Sequence, residues 1–279
     1  MTATFDTRDV SAASGRIRCG SGALDVSACG EARLRGAGIR GDRRGARRAR
    51  PPIRLRTTVW GPHRLSYILC AGVTTYKGLR ETETKPGEWA AISGVGGLGP
   101  IAIQYARAMG LRVAALDVAR GKLVFARKAG AEVVVDARSP QAALEIVGAT
   151  GGGAHGVLVT AVSSPAFSQA LRMARRKGTV ALVALPPGEF PTPICDVVLK
   201  RITVRGSIVG GRPDLDEAIG FAARGQLDAE IATAPLESVS AVFADLKAGR
   251  VTGRMVFDMA PGESGSHAPN RGAAAGRGP

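Results

Sequence analysis

From residue 67 onward, short apolar runs alternate with longer stretches of helical period. The runs at 88–93, 112–117, 132–136, 156–161, 179–185 and 202–209 are rich in Val, Ile, Leu and Ala and predict buried strands. Between them, 98–109, 120–129, 139–148, 165–176 and 192–199 space their apolar residues three and four apart and predict helices. Parallel neighbours need a crossover, so strands separated in this way predict an α/β fold with a doubly wound, six-stranded parallel sheet. Two more helices, 213–224 and 236–247, and a last strand, 254–258, exceed what such a sheet requires. That ending implies a return towards a second domain.

The two ends of the chain follow no such pattern. Residues 1–66 hold 14 Arg, no Lys and 5 acids, a net +9 out of the +15 of the whole 279-residue chain. Arg33-Leu-Arg-Gly-Ala-Gly-Ile-Arg-Gly-Asp-Arg-Arg-Gly-Ala-Arg-Arg-Ala-Arg50 has little apolar surface to offset the entropy of ordering, and predicts disorder. The Gly- and Ala-rich stretch 261–279 reads the same way. The expected organisation is therefore an arginine-rich segment at 1–66, a nucleotide-binding domain with its lead-in helix at 67–212, a junction of helices and one strand at 213–260, and a tail at 261–279. No run of apolar residues is long enough to span a membrane, and the N-terminus lacks the apolar core of a secretory signal. Four scattered cysteines without a Cys-x-x-Cys pair make neither a disulfide framework nor a zinc ribbon, so a reducing cytoplasmic location is the expectation.

The chemistry is concentrated where the first strand turns into the first crossover helix. Ile92-Ser-Gly-Val-Gly-Gly-Leu-Gly99 sets Gly94, Gly96 and Gly99 in a G-x-G-x-x-G pattern, with Gly97 and Leu98 between them. Gly94 allows a tight turn, Gly96 admits a pyrophosphate close to the backbone, and Gly99 lets helix and sheet pack closely. The helix N-terminus then presents N–H groups and partial positive charge to phosphate, while Pro100 sits where a missing N–H costs little. The next strand ends in Asp117, 18 residues after Gly99, near the spacing of an acid that binds both adenosine ribose hydroxyls and repels a 2′-phosphate. The expected dinucleotide is NAD rather than NADP, and Lys122 can bond the same ribose from the start of the following helix.

The segments Ile68-Leu-Cys-Ala-Gly-Val-Thr-Thr-Tyr-Lys-Gly-Leu79, Trp89-Ala-Ala-Ile-Ser-Gly-Val-Gly-Gly-Leu-Gly99, Gly153-Ala-His-Gly-Val157, Gly206-Ser-Ile-Val-Gly210 and Gly253-Arg-Met-Val-Phe-Asp258 closely resemble the zinc-containing alcohol dehydrogenases of the medium-chain dehydrogenase/reductase superfamily, in their microbial tetrameric branch. The resemblance runs from Ile68 to Met259. It implies a Rossmann sheet with a remnant of the GroES-like catalytic domain, and hydride transfer from a primary alcohol to NAD, giving an aldehyde. It further implies roles for individual residues. Cys70 matches a ligand of the catalytic zinc, and Thr74 a residue beside the nicotinamide. Val183, Leu185, Ser207 and Val209 match positions around the carboxamide, and Arg254 matches an arginine that approaches the pyrophosphate. Read without the family, Cys70 is a buried small hydrophobe.

The front of the chain departs from that family. Its remaining catalytic zinc ligands, a Gly-His-Glu segment and a four-cysteine lobe have no counterpart before Cys70; only Cys19, Cys29 and His63 precede it. Catalytic zinc needs three protein ligands, so the expectation is a chain that binds NAD with impaired alcohol oxidation. The abrupt change near residue 66 reads as a frameshift, a misassigned start or a degenerate gene copy. The expected partners are a small alcohol or aldehyde and further copies of the chain, as a dimer or tetramer through the sheet edge; the alternatives are a noncatalytic NAD-binding module that oligomerises through the last strand, 201–208, and, less favoured, an arginine-rich nonspecific nucleic-acid binder. His155 reads as structural and Cys195 as a buried or half-buried thiol.

Overall fold

The computed structural model describes residues 66–228, 231–251 and 253–259, together with the backbone of 18–19 and 22–23. The arginine-rich run 33–50, Cys29, His63 and the tail 261–279 lie outside the described residues. In the first unit, Arg18–Cys19 (β1) pairs antiparallel with Gly22–Ala23 (β2).

The rest is built around a six-stranded sheet. A π-helical stretch, Ile68–Gly72, leads into α1 (Val73–Glu81), followed by β3 (Trp89–Ser93), α2 (Gly99–Ala108), β4 (Arg112–Asp117), α3 (Arg120–Ala129), β5 (Val133–Asp136) and α4 (Ala142–Ala149). Then come β6 (Ala154–Val159), α5 (Ser164–Met173), β7 (Ala174–Leu182), α6 (Ile194–Lys200), β8 (Thr203–Gly206) and α7 (Arg212–Ala223). All pairings in the six-stranded sheet are parallel, in the order β5-β4-β3-β6-β7-β8. This is the doubly wound topology expected from the sequence. The order reverses between β3 and β6, where a crevice opens at the carboxyl ends of the strands.

Alternation along the central strands sorts the core into two faces. Ala90, Ile92, Val113 and Leu158 pack with Tyr76, Leu79, Ile101, Tyr105 and Ala218 under α1, α2 and α7. Trp89, Ala91, Leu116 and Val157 pack with Ile146, Phe167 and Leu171 under α4 and α5. Every residue of β3 is buried, because a central parallel strand is covered on both faces. Tyr105 O–H donates to the Ala218 carbonyl at 3.2 Å, which lets an aromatic ring serve the core without stranding its hydroxyl.

Several elements differ from the sequence expectation. The helix expected over 165–176 stops at Met173, and β7 starts at Ala174 rather than 179. Ala174 pairs with Ala154 across a register irregularity, so the ladder takes residues that local periodicity assigns to a helix. The last sheet strand, expected over 202–209, closes at Gly206, and Val209 lies at φ 49, outside extended geometry. An unexpected strand, β9 (Ile231–Pro235), pairs in parallel with β10 (Arg254–Asp258), with Leu236–Ser238 and α8 (Val239–Lys247) between them. Its Ile-Ala-Thr-Ala-Pro sequence has no buried face to betray it. Cys195 is exposed rather than half-buried, because α6 buries none of its residues. No helix among the described residues is long and apolar enough to cross a membrane.

His155 is a structural residue, as expected. Trp89 N–H donates to its Nδ1 at 3.2 Å, the Arg175 guanidinium lies against Nε2, and Glu88 stands 3.7 Å away. Burial and the Arg175 charge hold its pKa below the ordinary 6.5, against the weaker pull of Glu88. The unfolded chain therefore takes up this proton first. Stability is expected to fall as the pH drops through 6.5, with urea-unfolding midpoints falling less between pH 7.5 and 5.5 in His155→Gln than in the wild type.

Candidate functional site

The glycine loop leaves β3 at Gly94, whose φ of +103 and 2.7 Å clearance from the Ala161 backbone N exclude a Cβ. A Cβ on Gly99 would lie 2.3 Å from the Gly94 carbonyl oxygen, so the first turn of α2 rests directly on the turn out of the strand. Gly96 has no atom within 4 Å of an added Cβ, leaving its backbone open to a ligand. No side chain caps α2, its first turn carries no acid, and Pro100 occupies that turn. The result is a helix N-terminus with its partial positive charge available to an anion.

Asp117 ends β4 beside this loop. Its Oδ2 accepts from Val95 N–H at 2.7 Å and its Oδ1 from Ala119 N–H at 3.0 Å, with the residue 8% exposed. Each oxygen has a second lone pair, so the carboxylate can still accept from a diol. Lys122 is half-buried in the first turn of α3, which also carries no acid. Across the loop, Arg254 of β10 has its guanidinium carbon 3.1 Å from where a Gly97 Cβ would stand. Its Nε is buried with no hydrogen-bond partner.

The residues expected around the carboxamide lie at the carboxyl ends of β7 and β8. Val183 and Ala184 N–H both donate to the Val159 carbonyl at 3.2 Å, and Ser207 N–H donates to Leu182 at 2.9 Å. Leu185 is 83% exposed, and the buried Ser207 hydroxyl oxygen has no partner. The helix bearing Thr74 approaches this end of the sheet: Cβ atoms added at Gly78 and Gly210 would lie 2.8 Å from Val183 Cγ1 and 2.7 Å from Val73 Cγ2.

Cys70 lies in the π-helical stretch and is exposed, which overturns its reading as a buried small hydrophobe. Among the described residues no group of three His, Cys, Asp or Glu side chains is placed to hold a metal ion.

Residues 97–224 match the family model of the zinc-binding dehydrogenases. Over 192 residues the chain is 55% identical to an alcohol dehydrogenase of Rhizobium meliloti, covering 69% of this chain and 56% of that one. An alcohol dehydrogenase of Moraxella is 54% identical over 191 residues, again covering 56% of the relative. Over these spans the chain is similar to the zinc-type medium-chain alcohol dehydrogenases. It spans little more than half the length of these curated relatives. Among solved dehydrogenases of the family, the alcohol dehydrogenase of the archaeon Aeropyrum pernix superposes with a TM-score of 0.65 at 31% identity, over 69% of this chain and 57% of that structure.

One residue beside the glycine loop escapes the sequence reading. Tyr67, 8% exposed, donates its O–H to the Gly97 carbonyl at 2.7 Å, and Arg254 Cζ stands 5.2 Å from its ring centroid. Burial pushes its phenol up to about 12, with the Arg254 cation pulling the other way. The sequence holds no signal for this beyond an aromatic three residues before Cys70. The tight contact at Gly99 has a direct consequence. Gly99→Ala is expected to lose about 1–3 kcal/mol of stability in urea unfolding, as overpacked sites do, whereas Gly96→Ala should be close to neutral in that assay.

Proposed function

We propose that residues 66–259 form the NAD(H)-binding part of an alcohol dehydrogenase, a protein that converts a primary alcohol and NAD to an aldehyde and NADH. The observation that carries this reading is the Asp117 carboxylate at the end of β4, directly bonded to the glycine loop that leads into the uncapped start of α2. In this reading Asp117 accepts the adenosine ribose hydroxyls and Lys122 adds a donor to the same sugar. The Gly96, Gly97 and Leu98 backbone, the α2 N-terminus and Arg254 hold the pyrophosphate. The unpartnered Arg254 Nε and Ser207 hydroxyl fit such a ligand, since buried polar groups without partners cost free energy until something pairs them.

Val183, Leu185, Ser207 and Val209 position the nicotinamide end, with Thr74 beside it on α1. NAD supplies the hydride acceptor when bound. The chain's own contribution is to hold the ring at the crevice between β3 and β6. The described residues do not fit a zinc ion: Cys70 is the single matching ligand, and a lone thiolate does not make the three-ligand site that catalytic zinc requires. No alcohol-activating step is assigned to them. The proposed behaviour of this polypeptide is nucleotide binding with impaired turnover.

Self-association through the sheet edge belongs to the same reading. β8 ends the sheet, and its Val204 together with Ile208 just beyond it are exposed, a pattern that edge strands resolve by pairing or covering.

The nucleotide preference is testable at one position. Asp117→Asn keeps an acceptor but removes the charge that repels a 2′-phosphate. NADH is expected to bind about ten-fold more weakly, in line with losing a hydrogen bond to a charged group, and the gap between NADH and NADPH to narrow in fluorescence titration. An unchanged gap would sink the ribose assignment.

A further inference from the structure

Tyr67 lies outside every role assigned above, yet it touches two parts of the anion cradle at once. Its hydroxyl holds the Gly97 carbonyl at 2.7 Å, and its ring faces the Arg254 guanidinium, whose Nε is buried and unpaired. We propose that Tyr67 is a positioning residue for pyrophosphate, setting the peptide between Gly97 and Leu98 and laying the Arg254 side chain across the glycine loop. The inference rests on the NAD reading of the site.

Peptide geometry gives the first half of the argument. In a trans peptide the carbonyl of one residue and the N–H of the next point in opposite directions. Anchoring the Gly97 carbonyl on Tyr67 therefore turns the Leu98 N–H away from the tyrosine. The loop stays in that orientation before any ligand arrives, which removes an ordering cost from binding.

Arg254 gives the second half. It opens β10, a strand of the small two-stranded sheet, and the main sheet does not hold it through backbone pairing. A long guanidinium side chain in that position has many rotamers. Two features restrict it: the missing Cβ at Gly97, which leaves room for Cζ at 3.1 Å, and the Tyr67 ring, which gives the cation a face to rest on. The planar group is then held beside the loop with a donor to spare. A pyrophosphate oxygen is the ligand that such a donor suits.

The test is calorimetric titration of the full chain and its Tyr67→Phe and Tyr67→Leu variants with NADH, ADP-ribose and AMP. Tyr67→Phe keeps the ring and loses only the hydroxyl bond, so NADH and ADP-ribose should weaken about five-fold. Tyr67→Leu also removes the cation–π contact and should weaken them about ten-fold or more. AMP, which lacks the second phosphate, should change less than two-fold in both variants, a split that general loosening of the fold would not produce. In an Arg254→Met background the Tyr67→Leu penalty should shrink, since the two side chains act through one contact. Equal loss for all three ligands, or unchanged NADH affinity in both variants, overturns the positioning role while leaving the NAD site standing. Failure of the wild-type chain to bind NADH or ADP-ribose overturns the NAD reading and this inference with it.

Discussion

The approach of the Gly99 backbone to the Gly94 carbonyl, too close for any side chain, is the constraint on which the rest of the molecule depends. It brings the start of α2 down onto the end of β3, at the point where the strand order reverses. Because the contact is so close, the helix N-terminus opens into the crevice instead of standing off the sheet behind a longer turn. Gly94 meets the Ala161 backbone on the other side, and Thr160 O–H donates to the Gly94 carbonyl at 2.7 Å. The loop is thus clamped between the first and fourth strands of the sheet, and its geometry is a property of the core as much as of the loop.

The central strands and their helices were legible because burial on both faces leaves an unmistakable apolar run, as in Trp89–Ser93. The glycine spacing and Asp117 were legible for a related reason: their tasks are backbone tasks, which few residue types can perform. Legibility fails where a long-range partner decides. Residues 174–176 continue a helical pattern and become strand because Ala154 offers a ladder. Ile231–Pro235 is strand only because β10 lies beside it. Tyr67 could not be found from the sequence at all, since both of its partners come from distant parts of the chain.

At Cys70 a local distortion and an exposed thiol coincide. It sits in a π-helical stretch, a geometry that is frequent where a helix is bent to function, and its side chain is exposed beside an exposed Leu69. A cysteine in a finished core would be buried. The described residues therefore contain a well-packed six-stranded α/β unit and, at Cys70, one thiol outside any group of three metal-ligating side chains.

Asp117 carries one further consequence. The carboxylate proposed to bind the ribose also accepts the Val95 and Ala119 backbone N–H groups, so it is a part of the loop's skeleton. Any lineage that exchanged this acid for a small neutral residue to admit a phosphorylated ribose would strand a buried amide inside the turn. On the proposed ribose role, coenzyme choice and loop integrity are inherited together, and a change of preference would need a compensating acceptor elsewhere in the loop before the acid could be given up.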